Sequence, residues 1–334
     1  MPKSQFVDPK KAFEPGYIHF TDIPVCQYNK TLEEEKALYT KEDFMRIYRD
    51  MAIIREFETM LNEIKTKSVY NGVEYHNPGP AHLSIGQEAS AVGQAYCLDI
   101  NDFTFGSHRS HGEILAKGLS SIEKLDDGEL YDIMKEFLDG VTLRAVEGSE
   151  DKKGDVKDLA INFLLYGALA EIFARTTGFN RGLGGSMHAF FIPFGILPNN
   201  AIVGGAAPVA LGAALYKRSC HKKGIVIANS GDGALGRGPV MESMNFASME
   251  QIRKLWGMDG KYDDSGMPIL FNVFNNFYGM GGQTQGETMG FGIPARLGAG
   301  FNTEQMHAER VNGYDPLAVI DATERKKKIL VDGD

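Results

Sequence analysis

Two apolar runs that each end in a polar turn constrain the fold of this 334-residue chain most strongly. Residues 225–229 are followed by Gly231-Asp232-Gly233, and residues 268–274 are followed by Asn275-Asn276. Apolar runs of this length, separated by a helical pattern, are typical of buried parallel strands. The carboxyl ends of parallel strands meet at one edge of the sheet, where ligands of open α/β sheets bind. We therefore expect Asp232 and Asn276 to lie close together at such an edge.

The remaining pattern favours an α/β fold, with a doubly wound parallel sheet and helices on both of its faces. Apolar residues recur with the helical period from residue 40 onward, and Thr40 and Asp315 stand where helix N-caps are expected. Residues 1–39 show no sustained period and are expected to form an arm over the domain or over a neighbouring subunit. Residues 40–334 are expected to form one α/β domain, with insertions at 120–160 and 257–266.

Composition excludes several classes of function. The chain has 35 basic and 44 acidic residues, a net charge of -9, which argues against a general binder of nucleic acid or of anionic membranes. The longest apolar tract, residues 201–216, is interrupted by Pro208 and is too short to span a membrane. The three cysteines show no pair spacing, and residues 1–11 lack an export or import signal. We therefore expect a cytoplasmic protein.

The glycine turn after the first apolar run permits two interpretations. Residues 231–236 fit the pattern G-x-G-x-x-G, which predicts a dinucleotide site when it follows a strand. However, the Asp232 carboxylate would repel a pyrophosphate unless a cation lay between them. The acidic residue that binds a ribose at the end of the second strand is also replaced by Asn275-Asn276. A diphosphate bridged by Mg²⁺, which prefers carboxylate and carbonyl oxygens, fits these residues better.

Titratable side chains cluster in two other segments. His82 stands in a loop before a predicted helix at 89–98, where a lone histidine is more often structural than functional. His108, Arg109 and His111 lie within four positions, just before a predicted helix at 113–117. A guanidinium at the start of a helix suits diphosphate oxygens, whereas the alternative is a solvated surface turn. The residues alone leave both interpretations open.

Taken together with Gly231-Asp232-Gly233 and Asn275-Asn276, these segments resemble the α subunit of thiamine-diphosphate-dependent 2-oxo acid dehydrogenase E1 components. That family includes the pyruvate, branched-chain 2-oxo acid and acetoin dehydrogenases. The resemblance extends in order from about residue 40 to the C-terminus. Its further motifs are His82-Leu83-Ser84-Ile85-Gly86-Gln87-Glu88, His108-Arg109-Ser110-His111-Gly112, Gly184-Gly185-Ser186-Met187-His188 and Asn276-Phe277-Tyr278-Gly279-Met280-Gly281.

The resemblance implies a role for each matching residue. Asp232, the Asn276 side chain and the Tyr278 carbonyl are expected to ligate Mg²⁺. His82 is expected near the reacting carbon, and His111 is expected to transfer protons or orient the substrate. The residues expected to bind thiamine diphosphate are His108, Arg109, Ala201, Val203, Gly231, Asp232, Gly233, Ala234, Asn276 and Tyr278. The implied reaction is decarboxylation of a 2-oxo acid, with transfer of the acyl group to a lipoyl-bearing E2.

Three features depart from the family pattern. Between Gly233 and Asn275 lie 41 residues, which is longer than the family motif usually has, and residues 120–160 look like an insertion. The family also continues into a further strand and a His-Gly-His-Ser type loop, which nothing after Leu330 supplies. In this family the glutamate that activates the cofactor belongs to the β subunit. We therefore predict that the chain is a fragment or one of two subunits, and that it is inactive without an E1 β subunit or a fused β region. The alternatives are a transketolase-like or lipoyl-independent thiamine-diphosphate enzyme and a non-catalytic nucleotide-binding scaffold.

Overall fold

The computed structural model describes residues 8–77, 79–149, 154–252, 266–290, 292–302 and 305–332. Its strands are β1 (Val69–Tyr70), β2 (Val73–Glu74), β3 (Phe103–Phe105), β4 (Ile196–Leu197), β5 (Val226–Gly231), β6 (Ile269–Phe274), β7 (Tyr278–Gly279) and β8 (Gly282–Gln283). Its helices are α1 (Leu32–Glu35), α2 (Lys41–Lys67), α3 (Glu88–Ala95), α4 (His111–Lys124), α5 (Asp127–Glu136), α6 (Val141–Glu147), α7 (Val156–Ile172), α8 (Ala206–Ser219), α9 (Gly238–Ala247), α10 (Ala295–Phe301) and α11 (Pro316–Asp332).

A parallel sheet organises the described residues. Its four strands lie in the order β4, β3, β5, β6, and each neighbouring pair is parallel. Gly231, the last residue of β5, is in register with Phe274, the last residue of β6. The two predicted strands therefore end side by side, and the predicted parallel α/β fold is confirmed. The short strands β3 and β4 were not predicted from the sequence.

Helices cover both faces of this sheet, as expected. On one face, Val226 and Ala228 of β5 pack against Ala210 and Ala214 of α8. On the other face, Ile225 and Ile227 pack with Leu98 and with Leu330 of α11. Successive residues of a strand point to opposite faces, so a strand buried on both sides is apolar at nearly every position. This explains the uninterrupted apolar run at residues 225–228.

The predicted N-caps are confirmed, but some helix boundaries differ from the prediction. Thr40 accepts a hydrogen bond from the Asp43 N–H and opens α2, and Asp315 Oδ1 accepts one from the Leu317 N–H at the start of α11. The helix predicted at 162–177 instead begins at Val156, because Asp155 accepts a hydrogen bond from the Asp158 N–H. That helix ends at Ile172, shortly before Ala174 adopts a left-handed backbone with φ of 55°.

Helix α11 packs closely on α3. A Cβ atom added to Gly93 of α3 would lie 2.7 Å from Val319 Cβ and 2.8 Å from the Pro316 carbonyl oxygen. Only glycine permits this separation of the two backbones. Further along α11, Lys327 Nζ donates to Asp102 Oδ2 at 2.6 Å and to the Cys97 carbonyl at 3.0 Å. The helix is thereby fixed over the start of β3.

Part of the N-terminal arm lies on the domain itself. The Cys26 N–H donates to the Arg310 carbonyl, and Lys30 Nζ lies 2.9 Å from Asp321 Oδ1 of α11. Residues 13–20, by contrast, carry exposed apolar side chains. The predicted insertion at 120–160 includes α5 and α6, whose Leu130 and Leu143 join the main hydrophobic core. The loop predicted at 257–266 lies, except for Gly266, outside the described residues, as do residues 150–153.

Candidate active site

The order of the strands creates a switch point between β3 and β5. The chain passes from β3 to β4 on one side and then returns to β5 on the other side of β3. Ligands of open α/β sheets bind outside the carboxyl ends of the strands at such a point. The residues predicted to bind the cofactor lie at or just after these carboxyl ends. His108 and Arg109 follow β3, and Ala201 and Val203 follow β4. Gly231 ends β5 and is followed by Asp232, Gly233 and Ala234, whereas Asn276 and Tyr278 follow β6.

Thr284 ties together the ends of β5 and β6. Asp232 is only 2% exposed, and its Oδ2 accepts a hydrogen bond from the buried hydroxyl of Thr284. The Thr284 N–H donates to the Phe277 carbonyl at 2.9 Å, in the turn that follows β6. The segments that carry Asp232 and Asn276 are thus held by one residue. Asp232 is therefore bound to the turn after β6 through one of its two carboxylate oxygens.

The turn after β6 has an unusual backbone. The Asn276 side-chain oxygen accepts a hydrogen bond from the Tyr278 N–H at 3.0 Å, while Phe277 between them has φ of 65°. A bulky residue in the left-handed region is strained, and such strain is common at ligand-binding turns. The turn also approaches β5 closely, since a Cβ atom on Gly233 would lie 3.6 Å from Gly279 Cα. Tyr278 is 64% exposed.

This edge offers oxygen ligands of the kind that magnesium prefers. Among the described residues, no group of three or more His, Cys, Asp or Glu side chains could hold a metal. The predicted set is different, since it combines one carboxylate, one carboxamide and one backbone carbonyl. Such a set suits a hard cation that is also ligated by phosphate oxygens and water. The donors therefore fit Mg²⁺ bound with a diphosphate and do not form an all-protein metal cage.

His82 and His108 face each other across the switch point. Their ring centroids are 5.6 Å apart, with the planes steeply tilted. Burial lowers the pKa of His82, and the nearby charges of Arg109 and Lys65 lower it further. Burial, followed by Arg109, also lowers the pKa of His108. Both imidazoles are therefore biased toward the neutral form at neutral pH.

Arg109 is anchored next to His82. Its Nη1 donates to the Leu83 carbonyl at 2.7 Å, so one of its five N–H donors fixes the segment that carries His82. The binding of a diphosphate by Arg109 stays a prediction.

The first turn of α4 also contains a buried acid, Glu113. It accepts hydrogen bonds from the Ser107 N–H and hydroxyl, both at 2.8 Å. Burial raises the pKa of Glu113 to about 7.

His111 occupies an interior position that the sequence does not reveal. It is 2% exposed, its Nδ1 lies 2.9 Å from Glu58 Oε1, and its Nε2 lies 2.9 Å from Ser186 Oγ. Both ring nitrogens are therefore engaged within the protein. Proton transfer from His111 to a substrate stays a prediction, and this geometry favours a supporting role.

The turn after β4 is held by two side chains. Buried Asn199 donates through Nδ2 to Ser110 Oγ at 2.6 Å, and its carbonyl accepts from His188 Nδ1 at 3.1 Å. These bonds join the ends of β3 and β4 to the glycine-rich segment 178–188. Ala201 and Val203 follow on this turn, and Val203 is partly exposed to solvent. Solvent therefore reaches the part of the turn that is predicted to contact the cofactor ring.

Glu171 organises the glycine-rich segment. This fully buried carboxylate at the end of α7 accepts hydrogen bonds from the backbone N–H groups of Asn180, Gly182 and Gly184. A cleft of about 470 Å³ flanks the segment, with Arg181 and His188 among its polar walls. A second cavity, of about 500 Å³, lies between α2 and α7. Neither cavity is lined by residues predicted to bind the cofactor.

Sequence reasoning missed three of the residues that build this site: Glu58, Glu171 and Thr284. Glu58 carried a usable signal, because it lies on the apolar stripe of α2 between Ile54 and Leu61. A carboxylate on a core-facing stripe requires a buried partner. Glu171 had a similar signal in the apolar helix α7, whereas Thr284 lies in a polar glycine-rich loop and had none.

Comparison with known proteins supports the same family. The family model described as "Dehydrogenase E1 component" matches residues 51–140 and 157–333. The α subunit of acetoin:2,6-dichlorophenolindophenol oxidoreductase from Bacillus subtilis is 30% identical over 88% of this chain and 68% of its own length. The mitochondrial pyruvate dehydrogenase E1 α subunit of Chaetomium thermophilum is 27% identical over 97% of this chain and 61% of its own length. The pyruvate dehydrogenase E1 α subunit of Rhizobium meliloti is 27% identical over 89% of this chain and 67% of its own length.

Proposed function

This chain belongs to the dehydrogenase E1 component family, and from that membership we propose that it is the cofactor-binding α part of a thiamine-diphosphate-dependent 2-oxo acid dehydrogenase. The activities of these relatives support a 2-oxo acid or acetoin dehydrogenase over a transketolase-like enzyme or a scaffold. The chain spans 61% to 68% of the length of the relatives described above. Its activity, substrate and partners are therefore proposals.

One observation carries the proposal most directly. The polar turns after β5 and β6 are in register, and Thr284 joins them. Asp232, the Asn276 carboxamide and the Tyr278 carbonyl would hold Mg²⁺ at this edge. The backbone of Gly233 and Ala234 would lie beside the diphosphate, where the absence of a side chain on Gly233 permits close approach. His108 and Arg109 would approach the diphosphate from the end of β3.

The histidines would serve the reacting end of the cofactor. Bound thiamine diphosphate supplies an electron sink for the decarboxylation of a 2-oxo acid. The imidazole of His82 is suited to accept a proton near the reacting carbon, since its lowered pKa keeps it neutral at neutral pH. Ala201 and Val203 would orient the aminopyrimidine ring through their backbone groups.

The proposed partners follow from the family. We propose an E1 β subunit, or a fused β region, that completes the active site in a hetero-oligomer, and a lipoyl-bearing E2 that accepts the acyl group. No helix among the described residues has the length and apolar character needed to cross a membrane. Cytoplasmic residence is part of the proposal.

Cofactor binding to the chain by itself tests the first part of the proposal. Thiamine diphosphate with Mg²⁺ should raise the thermal midpoint of the wild-type chain, and EDTA should abolish the shift. Asn276→Ala should weaken the shift, whereas Asn71→Ala, in the distant β1–β2 turn, should not. An unchanged midpoint in the presence of millimolar cofactor and Mg²⁺ would favour the scaffold alternative.

Activity tests the second part. The chain, mixed with an E1 β subunit, should reduce an artificial electron acceptor in the presence of a 2-oxo acid. A panel of pyruvate, branched-chain 2-oxo acids and acetoin would identify the substrate. Aldehyde transfer between sugar phosphates, without turnover of any 2-oxo acid, would support the transketolase-like alternative instead.

A further inference from the structure

Four buried side chains form a continuous hydrogen-bonded network beside the predicted active site. We call Glu58, Ser84, His111 and Ser186 the Glu58 network. Glu58 and His111 belong to α2 and α4, whereas Ser84 and Ser186 lie in the loops that carry two of the family motifs. All four are at most 5% exposed. A polar network this deeply buried is stable only if its donors and acceptors are satisfied.

The carboxylate of Glu58 is the centre of the network. Its Oε1 lies 2.9 Å from His111 Nδ1, and its Oε2 accepts the Ser84 N–H at 2.7 Å. On the far side of the imidazole, Nε2 lies 2.9 Å from Ser186 Oγ. Ser186 Oγ also accepts the His82 N–H, at 3.4 Å. A chain of bonds therefore runs from Glu58, through His111 and Ser186, to the backbone of His82.

The directions of these bonds are mutually consistent. Because a carboxylate only accepts hydrogen bonds, His111 Nδ1 carries a proton and donates it to Glu58. Without a proton on Nε2, His111 accepts the Ser186 hydroxyl proton, which leaves the Ser186 oxygen free to accept from His82. Nε2 also lies 3.1 Å from the Ser186 carbonyl oxygen, which only accepts, so with a proton on Nε2 His111 donates to Ser186. In both arrangements His111 joins Glu58 of α2 to the segment that carries Ser186.

The segment 82–84 is held at three successive residues. The His82 N–H donates to Ser186, the Leu83 carbonyl accepts from Arg109, and Ser84 is bound through both its N–H and its hydroxyl. The Ser84 hydroxyl accepts the Gly112 N–H of α4 at 2.9 Å. Two of these three anchors depend on Glu58 or on its partner His111. The backbone that carries His82 is thus held from α2, from the start of α4 and from the segment around Ser186.

The geometry of Glu58, His111 and Ser186 also resembles a nucleophile triad, in which a histidine activates a serine hydroxyl. Here the hydroxyl is already bound to His111 and His82, and Ser186 is 5% exposed. A nucleophile needs access to its substrate, and neither of the two cavities described above is lined by Ser186. The burial and bonding of Ser186 favour a structural link over a nucleophile.

We propose that the Glu58 network positions His82 for the proposed reaction, with Glu58, His111 and Ser186 acting as positioning residues. This inference rests on the proposed function only for the role of His82. The hydrogen bonds of the network are all made between residues of this chain. The network can therefore be tested on the isolated chain, independently of the reaction.

The test compares Glu58→Gln with Asp50→Asn. The glutamine side chain would keep the size of the glutamate but could not accept from both His111 and Ser84. Asp50 is the matched control, because it is a buried carboxylate two turns earlier on α2 whose partners are Arg46 and Arg49. Hydrogen exchange should accelerate at the amides of His82 and Ser84 by about tenfold or more in Glu58→Gln. It should remain within about twofold of wild type in Asp50→Asn.

Selective histidine labelling and NMR titration give a second readout. The pKa of His82 is lowered chiefly by burial, so loss of its position should raise this pKa toward the ordinary value. A purely electrostatic effect has the opposite sign, because removing the Glu58 charge disfavours the imidazolium and lowers the pKa. An unchanged His82 pKa and unchanged exchange at residues 82–84, in a folded Glu58→Gln variant, would overturn the proposal.

Ser186→Ala provides a test if Glu58→Gln does not fold. It removes only the hydroxyl that joins His111 to His82, and its expected effect is faster exchange at the His82 amide with little change at Ser84. In the reconstituted enzyme, the same variant should lower kcat while the dissociation constant of the cofactor stays within about twofold. If the wild-type chain fails to bind cofactor, the proposed function fails. The exchange results would still decide the positioning proposal.

Discussion

The two sides of the predicted site are built in different ways. The histidine side (residues 82–84, 108–111 and 184–188) is joined to α2 and α4 by buried, charge-assisted hydrogen bonds such as Glu58 to His111. The clamp side (residues 232–234 and 275–284) consists of strand ends and a short hairpin, with Tyr278 and Met280 exposed. Beyond the paired ends of β5 and β6, Thr284 links the two turns through its bonds to Asp232 and Phe277.

This difference indicates which side a ligand would change. On the histidine side, the buried groups of Ser84, His111 and Ser186 are hydrogen-bonded within the protein, and this side is therefore expected to hold its geometry with or without a ligand. The clamp side contains a strained turn at Phe277, on either side of which Asn276 and Tyr278 are exposed. Strain of this kind is commonly balanced by ligand contacts. We expect stability to depend on the histidine side and affinity to depend on the clamp side.

The largest expected effect is on folding, through Glu58→Ala. Removing this carboxylate leaves His111 Nδ1 and the Ser84 N–H buried without an acceptor, which should lower the free energy of unfolding by about 3–5 kcal/mol. The matched clamp-side change, Asn276→Ala, affects an exposed side chain and should alter it by no more than about 0.5 kcal/mol. Urea denaturation of both variants measures the difference. Equal losses of unfolding free energy in the two variants would contradict the proposed difference between the two sides.

The second effect is on affinity, through Asp232→Ala. Loss of the predicted metal carboxylate should weaken Mg²⁺-dependent binding of thiamine diphosphate by at least about 100-fold, since changes to residues that only support metal ligands already reduce affinity by about 10- to 100-fold. Thr284→Val keeps the shape of the side chain but removes the bond to Asp232, and should weaken binding by about tenfold. Isothermal titration calorimetry measures both. If Thr284→Val weakened cofactor binding as much as Asp232→Ala, the Asp232 carboxylate would not be the main determinant of affinity.

The third effect is a pH dependence of stability that originates at Glu113. Its pKa is raised by burial to about 7, so the folded chain keeps this proton when the unfolded chain has lost it. The contribution of Glu113 to stability is therefore present below pH 4.5 and is lost as the pH rises to about 7. Glu113→Gln should flatten this decline by about 1–3 kcal/mol. Denaturation at about pH 4.5, 6 and 7.5 measures how the free energy of unfolding changes with pH. The same change in wild type and in Glu113→Gln would contradict the assignment of this pH dependence to Glu113.

The smallest effect has the opposite sign and comes from His82 and His108. Both have lowered pKa values, so the unfolded chain binds protons more readily below pH 6.5. Their contribution is present above pH 6.5 and is lost as the pH falls toward their folded-state pKa values. The double variant His82→Gln/His108→Gln should lose less stability than wild type between about pH 7 and 5. His19→Gln, in the exposed part of the arm, serves as the control and should follow the wild-type curve.

Local patterns were sufficient to predict that the two strand ends of the clamp side lie together. The apolar runs and polar tips around Asp232 and Asn276 are contiguous in the sequence, and the general geometry of parallel sheets places their ends together. Strands β3 and β4 could not be predicted in this way, because three and two residues are too few to show a period. They form because β5 and its neighbours supply the pairing.

The histidine side could be predicted only in part. The motifs identified His82 and His111, but the burial of His111 depends on Glu58, which is 53 residues away in the sequence. The position of Glu58 on an apolar stripe predicts a buried partner without identifying it. The link from Thr284 to Asp232 spans 52 residues and had no local signal. Such pairings are decided by how the helices and loops pack, which the sequence pattern does not specify.

The close crossing of α3 and α11 at Gly93 has a consequence for the order of folding. Val319 and Lys327 of α11 contact Gly93 and Asp102, more than 220 residues earlier in the chain. Contacts between such distant residues form late, because a long loop must close before they are gained. During synthesis, the face of the sheet formed by Ile225 and Ile227 lacks the part of its cover that Leu330 supplies until α11 has emerged from the ribosome. The nascent chain is therefore expected to require protection from aggregation until then.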